Sequence, residues 1–459
     1  MAHYFKFKTL NDLQAEAHRL RVELPAQDDL SPLFRSLAVG SFILGNRLCI
    51  HPMEGCDGTT DGLPGELTER RYRRFGAGGA KLIWGEAAAI VPEARANPRQ
   101  LVISAIHYPQ LARLAEIART AHQAIFHNTD DLLIGLQLTH SGRYSFQQPQ
   151  IACHDDVLDN RLTAPARYLT DDDLKRLEDQ FVAAAHIAFQ AGFQFIDIKQ
   201  CHRYLLNELL SARTRPGPYG GSFENRTRFV RNIITRIRSE IPNLLVASRL
   251  NLFDGLPFHG STGTVGKVDA ANLPLKNYWG TNPQCPDEMD LSEPCRWVIE
   301  LKQLGVALLN LTLGNPYASP HYLRPFEYPP PDGYLTPEHP LLGVARHLAA
   351  ARTIQQLDTT LACVGSGYSW LQEFLFHVGA ANIEQGYINI VGVGRGSLSQ
   401  PDFAKQLMDH GKLDRKRVCR TFSYCTALMR SKHNAEGQFV TGCPPFDKEV
   451  YQPVWKAAQ

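Results

Sequence analysis

Eight short runs rich in valine, isoleucine and leucine recur down this chain, and their number and spacing constrain its fold more than any other feature. They are 46–53 (NRLCIHPM), 80–87 (AKLIWGEA), 132–140 (LLIGLQLTH), 193–199 (FQFIDIK), 244–250 (LLVASRL), 307–314 (ALLNLTLG), 359–367 (TTLACVGSG) and 388–396 (INIVGVGRG). Their apolarity is nearly continuous rather than alternating, which suits parallel strands buried on both faces. Between most of them lie segments with helical periodicity. The clearest is 170–191, where Thr170 is placed to cap the start and three aspartates favour the positive end of the helix dipole, with Gly192 as its stop. Further helices are expected from Tyr108, Ser222, Asp290, Leu341, Ser369 and Pro401. Eight strands alternating with helices point to an α/β fold, a closed (β/α)8 TIM barrel, rather than an open doubly wound sheet. The first strand runs into EGCDGTTDG, which is not a phosphate loop.

Three regions fall outside the repeat. Residues 1–36 are expected to form an N-terminal helical extension and 411–459 a cysteine-bearing tail packed on the barrel, whose own span is 37–410. Residues 253–294, rich in glycine and proline, follow the fifth strand as an insertion and candidate lid, because loops after barrel strands border the active site. A net charge of +2 over 459 residues, with no dense basic stripe, argues against nucleic acid and for small-molecule partners. No apolar run reaches membrane-span length, and the first twenty residues lack the apolar core of a signal peptide. Ten scattered cysteines read as reduced thiols, so a cytoplasmic enzyme is expected.

In barrel enzymes phosphate often sits in the loops after strands seven and eight. Here those strands end in VGSG (364–367) and VGVGRG (391–396). Glycines let backbone N–H groups approach phosphate oxygens, and Arg395 adds a charge-assisted contact. Tight turns without a ligand are the alternative reading.

With these features in place, long motifs in a fixed order carry a resemblance across about residues 34–410. They are LFRSLAVGSFILGNRLCIHPM from Leu33, LQLTHSGR from Leu136, AGFQFIDIKQCHRYLLNELLS from Ala191, PYGGSFENRTRF from Pro218, SRL at Ser248 and VGRGSLSQPDF from Val393. The chain resembles the old yellow enzyme family of FMN-dependent NAD(P)H oxidoreductases.

The resemblance implies roles position by position. Gln137 matches the amide that meets the flavin pyrimidine edge, and Arg249 the cation that stabilises reduced flavin. Pro52, Met53 and Ala87 match backbone that frames the ring system, while Gly365, Gly367, Gly394 and Arg395 match the phosphate loops. On strand four, His202 matches a donor to the substrate carbonyl oxygen and Tyr204 a proton donor to the α-carbon.

Two residues depart from the family pattern. Lys199 stands where a histidine is usual, so it either serves as an oxyanion or carboxylate partner or points outward to Asp197 or Glu208. Glu54 stands where a small residue is usual, and either its carboxylate or only its backbone faces the cofactor. His140 and Arg143 belong to the LTHSGR loop, with Arg143 structural or functional. Glu224, Asn225 and Arg226 are expected to form a buried polar network, and Tyr278 and Trp279 of the insertion are left without a role.

Cys419, Cys425 and Cys443 lie where longer relatives, of the dienoyl-CoA reductase and trimethylamine dehydrogenase type, hold a [4Fe–4S] cluster. One ligand and the usual spacing are missing, so neither an iron–sulfur cluster nor another metal is expected; zinc with His433 is the alternative. The dinucleotide-binding domain that follows in those relatives is not expected here.

The resemblance implies an enzyme in which NAD(P)H reduces FMN and FMN passes hydride to the activated C=C bond of an α,β-unsaturated carbonyl. Two alternatives stand: the reverse direction, an amine or C–C dehydrogenase, and a non-catalytic barrel that binds a phosphorylated ligand. A homo-oligomer is expected from the family alone.

Overall fold

A computed structural model of the protein describes residues 2–269 and 274–459. Eight parallel strands close into a barrel: β1 (Leu48–Ile50), β2 (Leu82–Ala89), β3 (Leu133–Thr139), β4 (Phe195–Ile198), β5 (Leu245–Asn251), β6 (Val306–Thr312), β7 (Ala362–Gly365) and β8 (Ile390–Val393). Each pairs with the next in sequence, and β8 returns to β1 with Gly392 opposite Cys49. All eight residues of β2 and all seven of β3 are buried, which is why these strands read as continuous apolar runs. Each strand is followed by a helix on the outer ring: α1 (Glu66–Ala77), α2 (Tyr108–Phe126), α3 (Asp171–Gln190), α4 (Phe223–Glu240), α5 (Ser292–Gln303), α6 (Pro340–Leu357), α7 (Leu375–Glu384) and α8 (Phe403–His410).

Local chemistry sets the helix boundaries. Thr170 Oγ1 accepts from Asp173 N (3.1 Å) while Asp173 accepts from Thr170 N (2.9 Å), a reciprocal cap, and Gly192 takes φ +84° just past the end. The helix α1 has no counterpart among the sequence expectations. Its inward face carries Arg71, whose guanidinium is neutralised by Asp57 (2.7 Å) and Glu86 (2.9 Å).

The barrel interior divides into two ends. The N-terminal end is stoppered by a hairpin (Leu37–Val39 with Phe42–Leu44), and below it Trp84, Phe195, Leu82, Leu133, Leu308 and Ile390 form an apolar floor. Trp84 and Phe195 meet edge to face at 5.0 Å. The C-terminal end carries the loops that hold the site.

Among residues 2–36, only Leu10–Arg19 and the 3-10 turn Ser31–Phe34 are helical. Phe5 and Phe7 lie outside both and are buried against Trp370 of the β7–α7 segment. Residues 270–273 of the insertion lie outside the described residues. In the rest of it, Phe258–His259 pairs with Lys267–Val268, and Trp279 is fully buried with its Nε1 donating to Asn251 O (2.7 Å). Trp279 is therefore part of the barrel rim, while Tyr278 lies under Arg213 at 4.1 Å.

From residue 411 onward the chain reaches back over the mouth. Asp447 pairs with Arg70 (2.7 Å) and Arg74 of α1, Thr441 N donates to Gly55 O (2.6 Å), and Arg430 donates to Pro316 O (3.0 Å). Among the described residues no helix is long and apolar enough to cross a membrane.

Candidate active site

The strand ends place the expected residues around one mouth. Gln137 projects from β3 and Arg249 from β5, and Asp197 on β4 lies between them. Asp197 accepts from Gln137 Nε2 (2.5 Å), Trp84 Nε1 (2.7 Å) and the Arg249 backbone N–H (2.6 Å). With the amide nitrogen committed to this carboxylate, the Gln137 oxygen is the end that can accept from a ligand. The sequence alone offers Asp197 only as a partner for Lys199, and its place just before the motif residues is the one signal of its role at the site.

Lys199 faces inward. Its ammonium is 3.8 Å from Glu54 Oε1 and 3.9 Å from the centroid of the Tyr204 ring. Neither outward partner applies, since Glu208 is spent on Arg143 (2.5 Å) and on the N–H groups of Ala152 and Cys153. Glu54 likewise turns its carboxylate inward, toward Asn97 and Gln100 (3.4 Å each) as well as Lys199. Burial pushes the Glu54 carboxyl up and the Lys199 ammonium down, and each opposes the other's shift by its charge.

His202 and Arg203 take φ +68° and +58°, a left-handed turn uncommon outside glycine. Arg203 holds the turn through Asp155 (2.6 Å) and Asp254 (3.0 Å), so His202 and Tyr204 both project into the mouth. The buried imidazole sits near Arg249, Lys199 and Arg324, and burial with these cations pushes it well below its ordinary pKa. It is a neutral ring whose Nε2 has no partner among the described residues, a donor available to a carbonyl oxygen.

The turns after β7 and β8 supply the other wall. Gly367 takes φ +91°, and a side chain there would strike the His347 ring at 2.8 Å. Gly394 lies against Met53, where a Cβ would meet Sδ at 3.4 Å, so the loops after β1 and β8 converge. Arg395 spends Nη2 on Pro325 O (2.6 Å) and leaves Nη1 buried without a partner. Arg324, from the loop after β6, leaves Nε and Nη2 in the same condition, and Arg249 leaves Nε. Burial beside Arg430 and Arg395 pushes the Arg324 guanidinium down. Three cations with orphaned donors and no ion pair among the described residues are what a phosphate monoester and the carbonyl edge of a flavin would satisfy, so the residues present fit FMN. Pro52 and Ala87 are buried at the ends of β1 and β2, with Ala87 O accepting from Gln100 (3.2 Å) and Ala87 in register with Gln137. Gly365 ends β7.

His51 and Asn310, also at this end, are not singled out by the sequence. His51 is held between Asn310 Nδ2 (3.0 Å) and Ser366 Oγ (3.2 Å), linking β1, β6 and the β7 loop. Asn310 had been read as one position of an apolar run. His140 accepts from Gly142 N at Nδ1 (3.1 Å), and burial depresses it to about 3.

Some expectations for nearby residues change. Of Glu224, Asn225 and Arg226, only Arg226 is buried: Glu224 is exposed and pairs with Arg296 on the surface, because the first turn of α4 faces solvent there. Arg143 is structural, with bonds to Glu208, Asp159 and Cys153 O. Among the described residues no three His, Cys, Asp or Glu side chains are grouped so as to hold a metal ion.

Comparisons with known proteins identify the family. The model of the NADH:flavin oxidoreductase / NADH oxidase family matches residues 32–279, more than half of the chain. An NADPH dehydrogenase of a Geobacillus species is 33% identical over 211 residues, covering 45% of this chain and 59% of that protein. A putative 12-oxophytodienoate reductase 2 of Oryza sativa subsp. japonica is 28% identical over 245 residues, 51% of this chain and 62% of that protein. The chain thus spans less than two thirds of the length of these relatives. Among solved structures, a 2-naphthoyl-CoA reductase superposes with a TM-score of 0.67 at 16% identity, over 93% of this chain and 58% of that one. An old yellow enzyme homologue from Zymomonas mobilis gives 0.59 at 21% identity, over 85% and 96%. These last likenesses concern the fold; the family match over more than half of the chain leads to the conclusion that the chain belongs to the NADH:flavin oxidoreductase / NADH oxidase family, the old yellow enzyme family.

Proposed function

We propose that this chain binds FMN at the barrel mouth and, with NAD(P)H as reductant, reduces the activated C=C bond of an α,β-unsaturated carbonyl compound. The observation that carries the reading is the convergence of His202, Tyr204 and Lys199 on the same mouth as the orphaned donors of Arg249, Arg324 and Arg395. FMN held there would supply the hydride it takes from NAD(P)H. Arg249 and the Gln137 oxygen would hold the ring, the backbone of Pro52, Met53, Glu54 and Ala87 its edge, and Gly365, Gly367, Gly394 and Arg395 the phosphate.

His202 donates to the substrate carbonyl oxygen, where negative charge grows as hydride arrives at the β-carbon. Lys199 adds a positive charge beside it, and Tyr204 delivers the proton to the α-carbon. Burial raises the Tyr204 hydroxyl well above its ordinary pKa, so it carries its proton at neutral pH. Glu54 tempers the charge of Lys199, and because this pair alters the charge around the ring it supports a second reading, oxidation of an amine or C–C bond in the reverse direction.

The purified protein is expected to show flavin bands that survive heating as free FMN in the supernatant, with no iron. NADPH-driven turnover on cyclohexenone or maleimide separates the two readings. Activity on amines with every enone inert would overturn the first, and a colourless protein that refuses FMN would overturn both. Lys199→Ala should raise KM for the enone while FMN is retained; loss of FMN would displace Lys199 from the substrate side.

A further inference from the structure

A proton given up by Tyr204 has to be replaced, and the surroundings of that residue restrict how. Tyr204 is 4% exposed, with the Lys199 ammonium over its ring and the Tyr144 ring 5.9 Å away. Among the described residues its hydroxyl has one hydrogen-bond partner, the hydroxyl of Tyr317 at 3.0 Å. Tyr317 is 46% exposed.

We propose that Tyr317 forms a proton relay with Tyr204, carrying a proton in from solvent each time Tyr204 gives one to the substrate. The proposal rests on the reading of Tyr204 as proton donor. When the α-carbon–H bond forms, the Tyr204 O–H bond breaks and leaves a phenolate that water cannot reach directly. The Tyr317 hydroxyl then yields its proton to that oxygen and takes another from water, so both tyrosines end as they began. The Lys199 ammonium 3.9 Å from the ring centroid stabilises the transient phenolate.

The position of Tyr317 is built rather than incidental. Asn315 Oδ1 accepts from Tyr317 N (2.8 Å), and its Nδ2 donates to the Tyr144 hydroxyl (2.8 Å). The Tyr144 ring in turn stacks on Tyr317 at 4.0 Å and 24°. Arg430 of the C-terminal segment holds the carbonyl of Pro316. Loops after β3, β4 and β6 thus each contribute one tyrosine, and the hydroxyl contact is made only at the Tyr204–Tyr317 pair. Burial raises the Tyr204 hydroxyl, so it rests as a donor.

Tyr317→Phe keeps the ring and the stack while removing the hydroxyl, and Tyr204→Phe removes the donor itself. Both are made in the full FMN-loaded chain and driven by NADPH on cyclohexenone, with ferricyanide, which needs no proton on carbon, as the reference acceptor. The ratio of enone to ferricyanide turnover should fall about a hundredfold in Tyr204→Phe and about tenfold in Tyr317→Phe. Imidazolium buffer should restore the Tyr317→Phe loss in proportion to its concentration. Melting of the apo-protein and FMN retention should match the parent in Tyr317→Phe. An unchanged ratio in Tyr317→Phe beside a fallen one in Tyr204→Phe would overturn the relay and leave the donor in place. A Tyr317→Phe loss deaf to imidazolium would overturn the relay in favour of a stacking role against substrate. An unchanged ratio in Tyr204→Phe would remove the donor reading and the relay with it.

Discussion

The two ends of the barrel are made by the same eight strands and obey opposite rules. At the floor, Val39, Leu44, Leu82, Leu133, Phe195 and Ile390 bury only carbon, and a hairpin seals them from water. At the mouth, His140, His202, Arg249, Thr312 and Arg395 each bury a polar atom that no described residue satisfies. An unsatisfied buried donor costs on the order of 1–3 kcal/mol, so the mouth is an arrangement the chain alone would not favour. The apolar floor carries the fold that tolerates it, and the proposed FMN would satisfy it. Trp84 belongs to both ends: its ring packs on Phe195 below, and its Nε1 fixes Asp197 above.

The largest effect that sharpens this contrast is expected at the floor. Phe195→Ala removes a fully buried ring from against Trp84 and should cost about 3–5 kcal/mol of unfolding free energy. Urea denaturation of the apo-protein measures it, and a loss below about 1 kcal/mol would mean the floor does not carry the fold. The mouth should respond with the opposite sign. Arg249→Met replaces a buried cation that has no carboxylate partner among the described residues, so the apo-protein should gain about 1 kcal/mol. FMN affinity should meanwhile fall tenfold to a hundredfold, roughly the worth of one or two charge-assisted bonds. A stability loss in the same denaturation experiment would show that Arg249 is satisfied by the protein itself.

The contrast also accounts for what could be read in the sequence. The strands were legible because both faces of each are buried, which leaves an unbroken apolar run, and α3 because Thr170 and Asp173 cap it reciprocally. Helix α1 was not, because its buried face sets Arg71 among Tyr72 and Phe75, and Asp57 and Glu86, brought from outside the helix, offset the burial of that guanidinium. At the mouth, His202 and Tyr204 were legible as a motif, although the structure places them in the turn after β4 and not on the strand itself. The inward turn of Lys199 was not, since it depends on Glu54, which lies on the loop after another strand. Asp197, Asn310 and His51 were hidden for a related reason: a single polar residue inside an apolar run looks like a tolerated exception until the strands on either side show what it holds. Tyr317 carried no local signal, because its role comes from contacts with loops after β3 and β4.

Titration separates the ends most finely. The mouth side buries imidazoles that must stay neutral: burial depresses His140 to about 3 and His347 to about 4. His347 braces the loop after β6 by donating to Tyr322 O (2.8 Å) and lies against Gly367 of the phosphate turn. An unfolded chain binds a proton on this ring near pH 6.5, whereas the folded chain does so only near pH 4. Between those values the unfolded state holds more protons, so stability falls as pH drops through the window. The slope from one such histidine is at most about 1.4 kcal/mol per pH unit, and it vanishes above pH 6.5. His347→Gln keeps a donor toward the Tyr322 carbonyl but cannot take the proton. Urea midpoints measured from pH 7 to pH 4.5 should therefore decline less steeply in His347→Gln than in the parent, by up to that amount. Phe195→Ala, which touches no titrating histidine, should lower stability by the same amount at every pH. Parallel curves for His347→Gln and the parent would mean the imidazole is protonated in the folded mouth, and that the acid sensitivity of this end has another source.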